Sequence, residues 1–201
     1  IRNCHTSGRV EGYKDVGGLS GADWWSSTVE FCSSSATVID TDYIGGLLGE
    51  FYSDKIKKCW ATGYVQGDSS VGGFVGVNGY LALENSYSTA RVEGNDEVGG
   101  LAGFSNSTPI NCYAAGQVTG DSNVVGLIGN YNVDENVDTS YYDKEKSGQS
   151  DTGKGIPRTT DEMTKPAADN TYEGWDFDNI WYIYNSINDG YPVLEESDTS
   201  D

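Results

Sequence analysis

The stretch that most constrains this chain is Val71-Gly72-Gly73-Phe74-Val75-Gly76, because the chain repeats it. Earlier copies are Val16-Gly17-Gly18-Leu19-Ser20-Gly21 and Ile44-Gly45-Gly46-Leu47-Leu48-Gly49. Later ones are Val98-Gly99-Gly100-Leu101-Ala102-Gly103 and the degenerate Val124-Val125-Gly126-Leu127-Ile128-Gly129. Successive copies start 28, 27, 27 and 26 residues apart. A second marker keeps step: Cys4, Cys32, Cys59, Ser86 and Cys112 each precede their copy by 12 residues. A fixed period with two markers in register defines a solenoid, in which each coil buries its apolar face only against its neighbours.

Residues 4–11, 32–39, 59–66, 86–93 and 112–119 alternate as a half-buried strand does. One parity is small or apolar, as in Cys59, Ala61, Gly63 and Val65, and is expected inside. The other, as in Tyr87, Thr89, Arg91 and Glu93, is expected outside. The column Gly8, Ala36, Gly63, Ala90 and Gly116 implies close approach of the opposite wall. Turn residues follow at Gly12, Asp40, Gly67, Gly94 and Gly120. In the next arm Val16 and Leu19 have opposite strand parity, so a bend or bulge at the glycine pair is needed to bury both. About 27 residues per coil at ~4.8 Å between strands gives five to six rungs and a rod roughly 25 Å long.

The repeats run over residues 1–142, and the pattern then breaks. Residues 143–194 read as a capping segment and 195–201 as an acidic, disordered tail. Within the cap, residues 144–154 are polar and rich in Gly and Ser, which predicts a surface loop. Thr159-Thr160-Asp161-Glu162 fits a capping box for one short helix, limited by Pro166. Trp175, Phe177, Ile180, Trp181, Ile183, Tyr184, Tyr191 and Leu194 then form an aromatic cluster, expected as a lid over the last rung. The fold class is therefore all-β: a β-solenoid with a C-terminal aromatic cap.

Charge and composition exclude several functions. With 12 basic and 31 acidic residues the chain carries −19, which phosphate backbones repel and which suits a solvated secreted surface. The 5 Trp, 14 Tyr and 5 Phe argue against disorder. No run of about 18 apolar residues occurs, so no membrane span is expected. The chain opens at Ile1, inside a repeat and without Met, so either a removed leader or a longer parent protein is expected. Asn106-Ser107-Thr108 fits the glycosylation acceptor pattern, weakened by Pro109.

The repeat unit resembles that of the GLUG-motif family: an apolar residue, Asn-Cys-Tyr-Ala-Thr-Gly, Val, a turn, then Val-Gly-Gly-Leu-Val-Gly. Here it stands as Asn111-Cys112-Tyr113-Ala114-Ala115-Gly116 with the Val-Gly-Gly-Leu copies. Gly174-Trp175-Asp176-Phe177 and Asn188-Asp189-Gly190-Tyr191-Pro192 are similar to the segment that often follows such repeats. The resemblance implies a β-solenoid of a large bacterial or archaeal surface protein, commonly adhesin-like. Some relatives carry a metallopeptidase domain, whose zinc-helix motif this chain lacks. Departures are Ser86 and Ser140 for Cys, Val125 for Gly, and the irregular second repeat.

Candidate chemistry is sparse. Cys4, Cys32, Cys59 and Cys112 lie one per rung, not at zinc spacing, and are expected as a buried column of free thiols. A Cys4–Cys32 or Cys32–Cys59 disulfide is also open geometrically. His5, the single histidine, is placed on the outer face, and no base is expected beside any serine. Glu11 and Glu93 share a column but lie roughly 14 Å apart, too far for glycosidase carboxylates. Asp15, Asp42, Asp68, Asp96 and Asp121 crowd the turns; no cofactor is expected, with weak Ca²⁺ binding there left open.

An outward aromatic column runs through Trp60, Tyr87 and Tyr113, and Trp24-Trp25 lie in a loop. Each set reads either as cross-rung stacking or as a surface for sugars or proteins. The expectation is a non-catalytic, extracellular structural or adhesive protein of the cell surface. Its expected partners are host or cell-surface glycans and proteins, together with further repeats or neighbouring copies. Such copies would add strands at the edge that Ile1 leaves open, giving a head-to-tail filament. The alternative is a carbohydrate-binding or carbohydrate-cleaving solenoid.

Overall fold

A computed structural model of the chain describes residues 1–24, 27–52, 54–80, 82–152, 154–165 and 170–195. Trp25, Pro166 and the tail beyond residue 195 lie outside the described residues. The chain winds as a parallel β-solenoid whose coils contribute short strands to five sheets. The Cys sheet stacks His5–Thr6, Ser33–Ser34, Trp60–Ala61, Tyr87–Ser88, Tyr113–Ala114, Tyr141–Asp143 and Ile156–Arg158. The second sheet stacks Arg9–Glu11 with its equivalents through Val118–Thr119, and the third runs from Lys14–Gly17 to Ser122–Val125. The fourth runs from Ser20–Asp23 to Ile128–Tyr131, and a shorter fifth holds Thr28–Glu30, Lys55–Lys57 and Ala82–Glu84. Like residues pair with like: Val16, Ile44, Val71, Val98 and Val124 form one unbroken column.

Two corners per coil use left-handed backbone at residues other than glycine. Asn3, Phe31, Lys58, Asn85 and Asn111 each precede the Cys or Ser marker with φ between 45° and 53°. Asp15, Tyr43, Ser70, Glu97 and Asn123 each precede the Val column with φ between 49° and 60°. A bulge thus sits just before Val: pairing skips these residues, joining Lys14 to Asp42 and Val16 to Ile44. The bend that turns both Val and Leu inward falls at the glycine pair as expected, at Gly18–Leu19, Gly46–Leu47, Gly73–Phe74 and Gly100–Leu101.

The two apolar columns serve different cores. Ile44, Val71 and Val98 pack with Val38, Val65 and Val92, whereas Leu47, Phe74 and Leu101 pack with Cys59, Cys112, Ile56 and Leu83. The glycine pair is the wall between them. A methyl on Gly73 would lie 2.5 Å from Ser88 Oγ, and one on Gly100 would lie 2.9 Å from Ala114 Cβ. The close approach thus falls on Ser34, Ala61, Ser88 and Ala114, two residues earlier than the column expected from the sequence. At that expected column the arm breaks into two strands, and Gly8 and Gly63 are exposed corners with φ of 102° and 99°.

The capping segment holds two short helices, α1 (Lys144–Ser147) and α2 (Thr160–Met163), one more than expected. Thr159 and Glu162 form the reciprocal capping box on α2. The polar segment read as a surface loop instead closes the last coil. Gln149 Nε2 donates to Val118 O (3.3 Å), Lys154 Nζ donates to Gly129 O (2.8 Å), and Tyr142 donates to Asp151 O (2.7 Å). Carbonyls that would otherwise sit on a bare edge are satisfied, which is why this stretch is polar. The aromatic lid accordingly lies against the outer face of the Cys sheet, beside the last coils and not across their end.

Candidate functional site

The aromatic column of the Cys sheet stacks along the rod. Trp60 and Tyr87 lie 6.1 Å apart with planes 8° from parallel, and Tyr87 and Tyr113 lie 4.9 Å apart at 3°. Parallel in-register pairing forces this, since equivalent side chains of successive coils point the same way. The lid covers the C-terminal part of the column. Tyr113 is fully buried, with Tyr87 and Tyr141 nearly so, beneath Trp175, Trp181, Tyr172, Tyr191 and Met163. Tyr113 donates to Pro192 O (2.6 Å) and accepts from Asn188 Nδ2 (2.7 Å), while Trp181 Nε1 donates to Asn85 Oδ1 (3.3 Å). Burial pushes the Tyr113 and Tyr172 hydroxyls well above the usual tyrosine range. Of the two readings of the Trp60–Tyr87–Tyr113 column, the cross-rung stacking is present. The free platform is not, because the lid covers Tyr87 and Tyr113 and leaves Trp60 at its edge.

Asp143 pins the lid to the rod. This fully buried carboxylate caps α1 by accepting from the Glu145 and Lys146 amides (2.8 and 2.9 Å), and it accepts from Thr160 Oγ1 (2.7 Å) and Tyr191 OH (2.5 Å). One side chain thus ties the last coil to both helices.

Where the lid ends, a cleft of about 380 Å³ opens between rod and lid. It is lined by Trp60 and Tyr87 on the rod and by Tyr182, Tyr184, Ile187, Asn188, Val193, Leu194 and Glu195 on the lid. Tyr182 and Tyr184 stack with planes 10° from parallel, and Tyr184 and Ile187 are half exposed. Of the residues expected at a binding surface, the cleft uses Trp60 and Tyr87. Trp24 instead stacks on Tyr52 at 4.9 Å, with Tyr80 beyond it at 6.4 Å, as a second ladder on the outside of the rod. Trp24 and Tyr80 are largely exposed. The sequence carried that signal, since Trp24, Tyr52 and Tyr80 recur at the repeat period. Trp25 lies outside the described residues.

The cysteines are free thiols in one column. They also do more than fill space. The Cys112 thiol points at Ile110 O and the Cys112 amide donates to Ser140 Oγ (3.0 Å); Cys59 N likewise donates to Ser86 Oγ (3.2 Å). Each marker residue therefore caps a corner amide of the preceding coil, which a hydroxyl does as well as a thiol. That is why Ser86 and Ser140 substitute. Burial pushes the Cys112 thiol up to about 12, and Cys59 rises for the same reason.

His5 is exposed, and its Nδ1 lies 2.8 Å from Ser33 Oγ, so a base does stand beside a serine. Among the described residues no carboxylate orients this imidazole. Glu11 pairs with Arg9, while Glu93 pairs with Arg91 and accepts from Tyr64 OH (2.5 Å). On the turn ridge Asp68 accepts from Asn95, and Asp96 from Ser122 and Asn123. No group of three or more metal-ligating side chains suited to a metal ion occurs among the described residues. Asn106 is half-buried and accepts from Asn132 Nδ2 (3.1 Å) as part of a cross-coil ladder.

Stacked parallel coils, in-register columns and a side-on lid define a β-solenoid repeat protein. Residues 67–93, one repeat of the rod, match the model of the GLUG motif. An alignment of 89 residues that covers 41% of the chain is 47% identical to a "Putative Gly-rich membrane protein" of Evansella cellulosilytica, of which it spans 10%. The fold is similar to that of a "putative immunoglobulin A1 protease" from Bacteroides ovatus, with a TM-score of 0.55 and 24% identity over 98% of this chain and 58% of that one. No helix among the described residues is long and apolar enough to cross a membrane.

Proposed function

We propose that this chain is the non-catalytic display module of an extracellular surface protein, acting in adhesion. The observation that carries this is the Trp24–Tyr52–Tyr80 ladder, exposed at Trp24 and Tyr80, on the outside of a strongly acidic rod. Solvent-facing aromatic rings in register along a rigid axis offer apolar contact area at low entropic cost, which suits a contact surface better than a core. The relative named as a membrane protein, of which this stretch spans a tenth, supports a place at the cell surface within a longer chain. Partners would be surface glycans or proteins, and neighbouring copies or repeats stacking on the first coil would extend the rod into a filament.

Cleavage is the weaker reading. Asp15 and Glu50 are a carboxyl pair that the coils press together, and their contact is too close to straddle a glycosidic bond. The test is Trp24→Ser combined with Tyr80→Ser. Both side chains are largely exposed, so the thermal midpoint should stay within a few degrees, while attachment of protein-coated beads to cells or matrix should fall severalfold. Unchanged attachment would remove the ladder from the adhesive role.

A further inference from the structure

Resting on the adhesive reading, we infer that the cleft between Trp60 and the lid edge is a saccharide subsite, taking a terminal sugar ring of a neutral or amino-bearing glycan. Its volume of about 380 Å³ falls within the ~300–1,000 Å³ range of small-molecule sites. The walls are the edge of the aromatic column and the stacked pair Tyr182–Tyr184, with Ile187 and Val193 between. Such walls suit the C–H face of a pyranose.

The polar groups select further, because they accept hydrogen bonds. Asn188 spends its Nδ2 on Tyr113 OH (2.7 Å) and Pro192 O (3.3 Å), which leaves Oδ1 to accept. The Tyr182 hydroxyl donates towards Asp178 O (3.4 Å) and the Glu195 carboxylate, and keeps its lone pairs. Glu195 supplies a carboxylate at the rim. A ligand matching these groups brings several O–H or N–H donors. It carries no negative charge, which Glu195 and the net charge of −19 would repel. Hydroxyl-rich neutral sugars and protonated amino sugars meet both conditions; uronic and sulfated sugars fail the second. The lid creates the site: the column beneath Trp181 is sealed, and the space opens where Trp60, Tyr182 and Tyr184 line it together.

The experiment is calorimetric titration of the full chain. The probes are neutral disaccharides (cellobiose, lactose, maltose), the deacetylated glucosamine disaccharide, digalacturonate, and acetyl-lysinamide as a peptide-like cation. Expected is saturable binding of a neutral or amino disaccharide at about 1 mM or tighter, with none for digalacturonate. Tyr184→Ser truncates a half-exposed ring, so the fold should be retained while affinity drops about tenfold. Glu195→Gln should weaken the amino sugar more than the neutral ones. The subsite is overturned if no disaccharide binds below about 10 mM, or if digalacturonate binds equally. It is also overturned if acetyl-lysinamide outcompetes every sugar, or if Tyr184→Ser leaves affinity intact. The same variant in the bead-attachment assay separates the two readings: attachment without sugar binding sinks the subsite alone, and sugar binding without attachment sinks the adhesive role alone.

Discussion

Glu50 shows at the scale of single residues how a solenoid punishes one mismatch in a column. In the fourth and fifth coils Asn130 Nδ2 donates to Glu97 Oε1 at 2.6 Å. The equivalent pair in the first and second coils is Glu50 beside Asp15, two acids where the later coils place an amide and an acid. Asp15 Oδ1 is buried without a partner, and Glu50 is almost wholly buried. Burial first, and the Asp15 charge second, raise the Glu50 carboxyl above the usual range. An acid whose pKa is higher folded than unfolded binds its proton more tightly when folded. Its contribution is thus full below the unfolded pKa near 4.3 and is lost as pH rises through the folded value. Glu50→Gln would supply the missing N–H donor to Asp15. We expect it to stabilise the chain by roughly 1 kcal/mol at pH 7, with no gain at pH 3, where Glu50 is already protonated. Denaturant midpoints of both proteins at both pH values test this; a gain that is equal at pH 3 would rule out the charge of Glu50 beside Asp15 as the cause.

Strand and corner positions divide what was legible in the sequence from what was not. The period, the Val and Leu columns and the Cys/Ser markers could be read directly, because parallel in-register stacking repeats each coil position down the chain. The corners could not. Left-handed backbone favours Asn, and Asn3, Asn85 and Asn111 are consistent with it, but Phe31 and Lys58 break the pattern in the same column. The strand break inside the first arm was hidden for a related reason: alternation continues across a corner when the corner residue is small, as at Gly63 and Ala90. The occupied platform was invisible because a lid binding to the side of a rod leaves no periodic mark on it. At the corners, Gly63→Ala should destabilise by about 1–3 kcal/mol. A β-carbon there would meet Ala36 O at 2.5 Å on a backbone with φ of 99°. Ala36 and Ala90 occupy the same column without positive φ, so Ala90→Gly should cost far less than Gly63→Ala. Equal costs in thermal denaturation would return the column to simple packing.

Across the whole molecule the lid changes how a repeat rod shares its stability. Coils that touch only their neighbours behave as a chain of nearest-neighbour couplings, able to fray from either end. The lid bypasses that order: one aromatic cluster rests on Tyr87, Tyr113 and Tyr141 together, and Trp181 at its centre reaches back to Asn85. The fourth, fifth and sixth coils are therefore joined into one unit. The first two are held without the lid, by strand pairing, the Val and Leu cores and cross-coil pairs such as Arg2–Glu30 and Lys57–Glu30. Amide exchange should then be graded. Amides of Val92 and Val118 should exchange only on global opening, and those of Val10 and Val38 should exchange through a smaller opening. Trp181→Ala should cost about 3–5 kcal/mol in the protected unit. The fourth to sixth coils should then exchange as readily as the first two, with the rates of the first two unchanged. If the substitution speeds exchange uniformly from Val10 to Val118, the rod unfolds as a single cooperative block and the lid merely adds to its total stability.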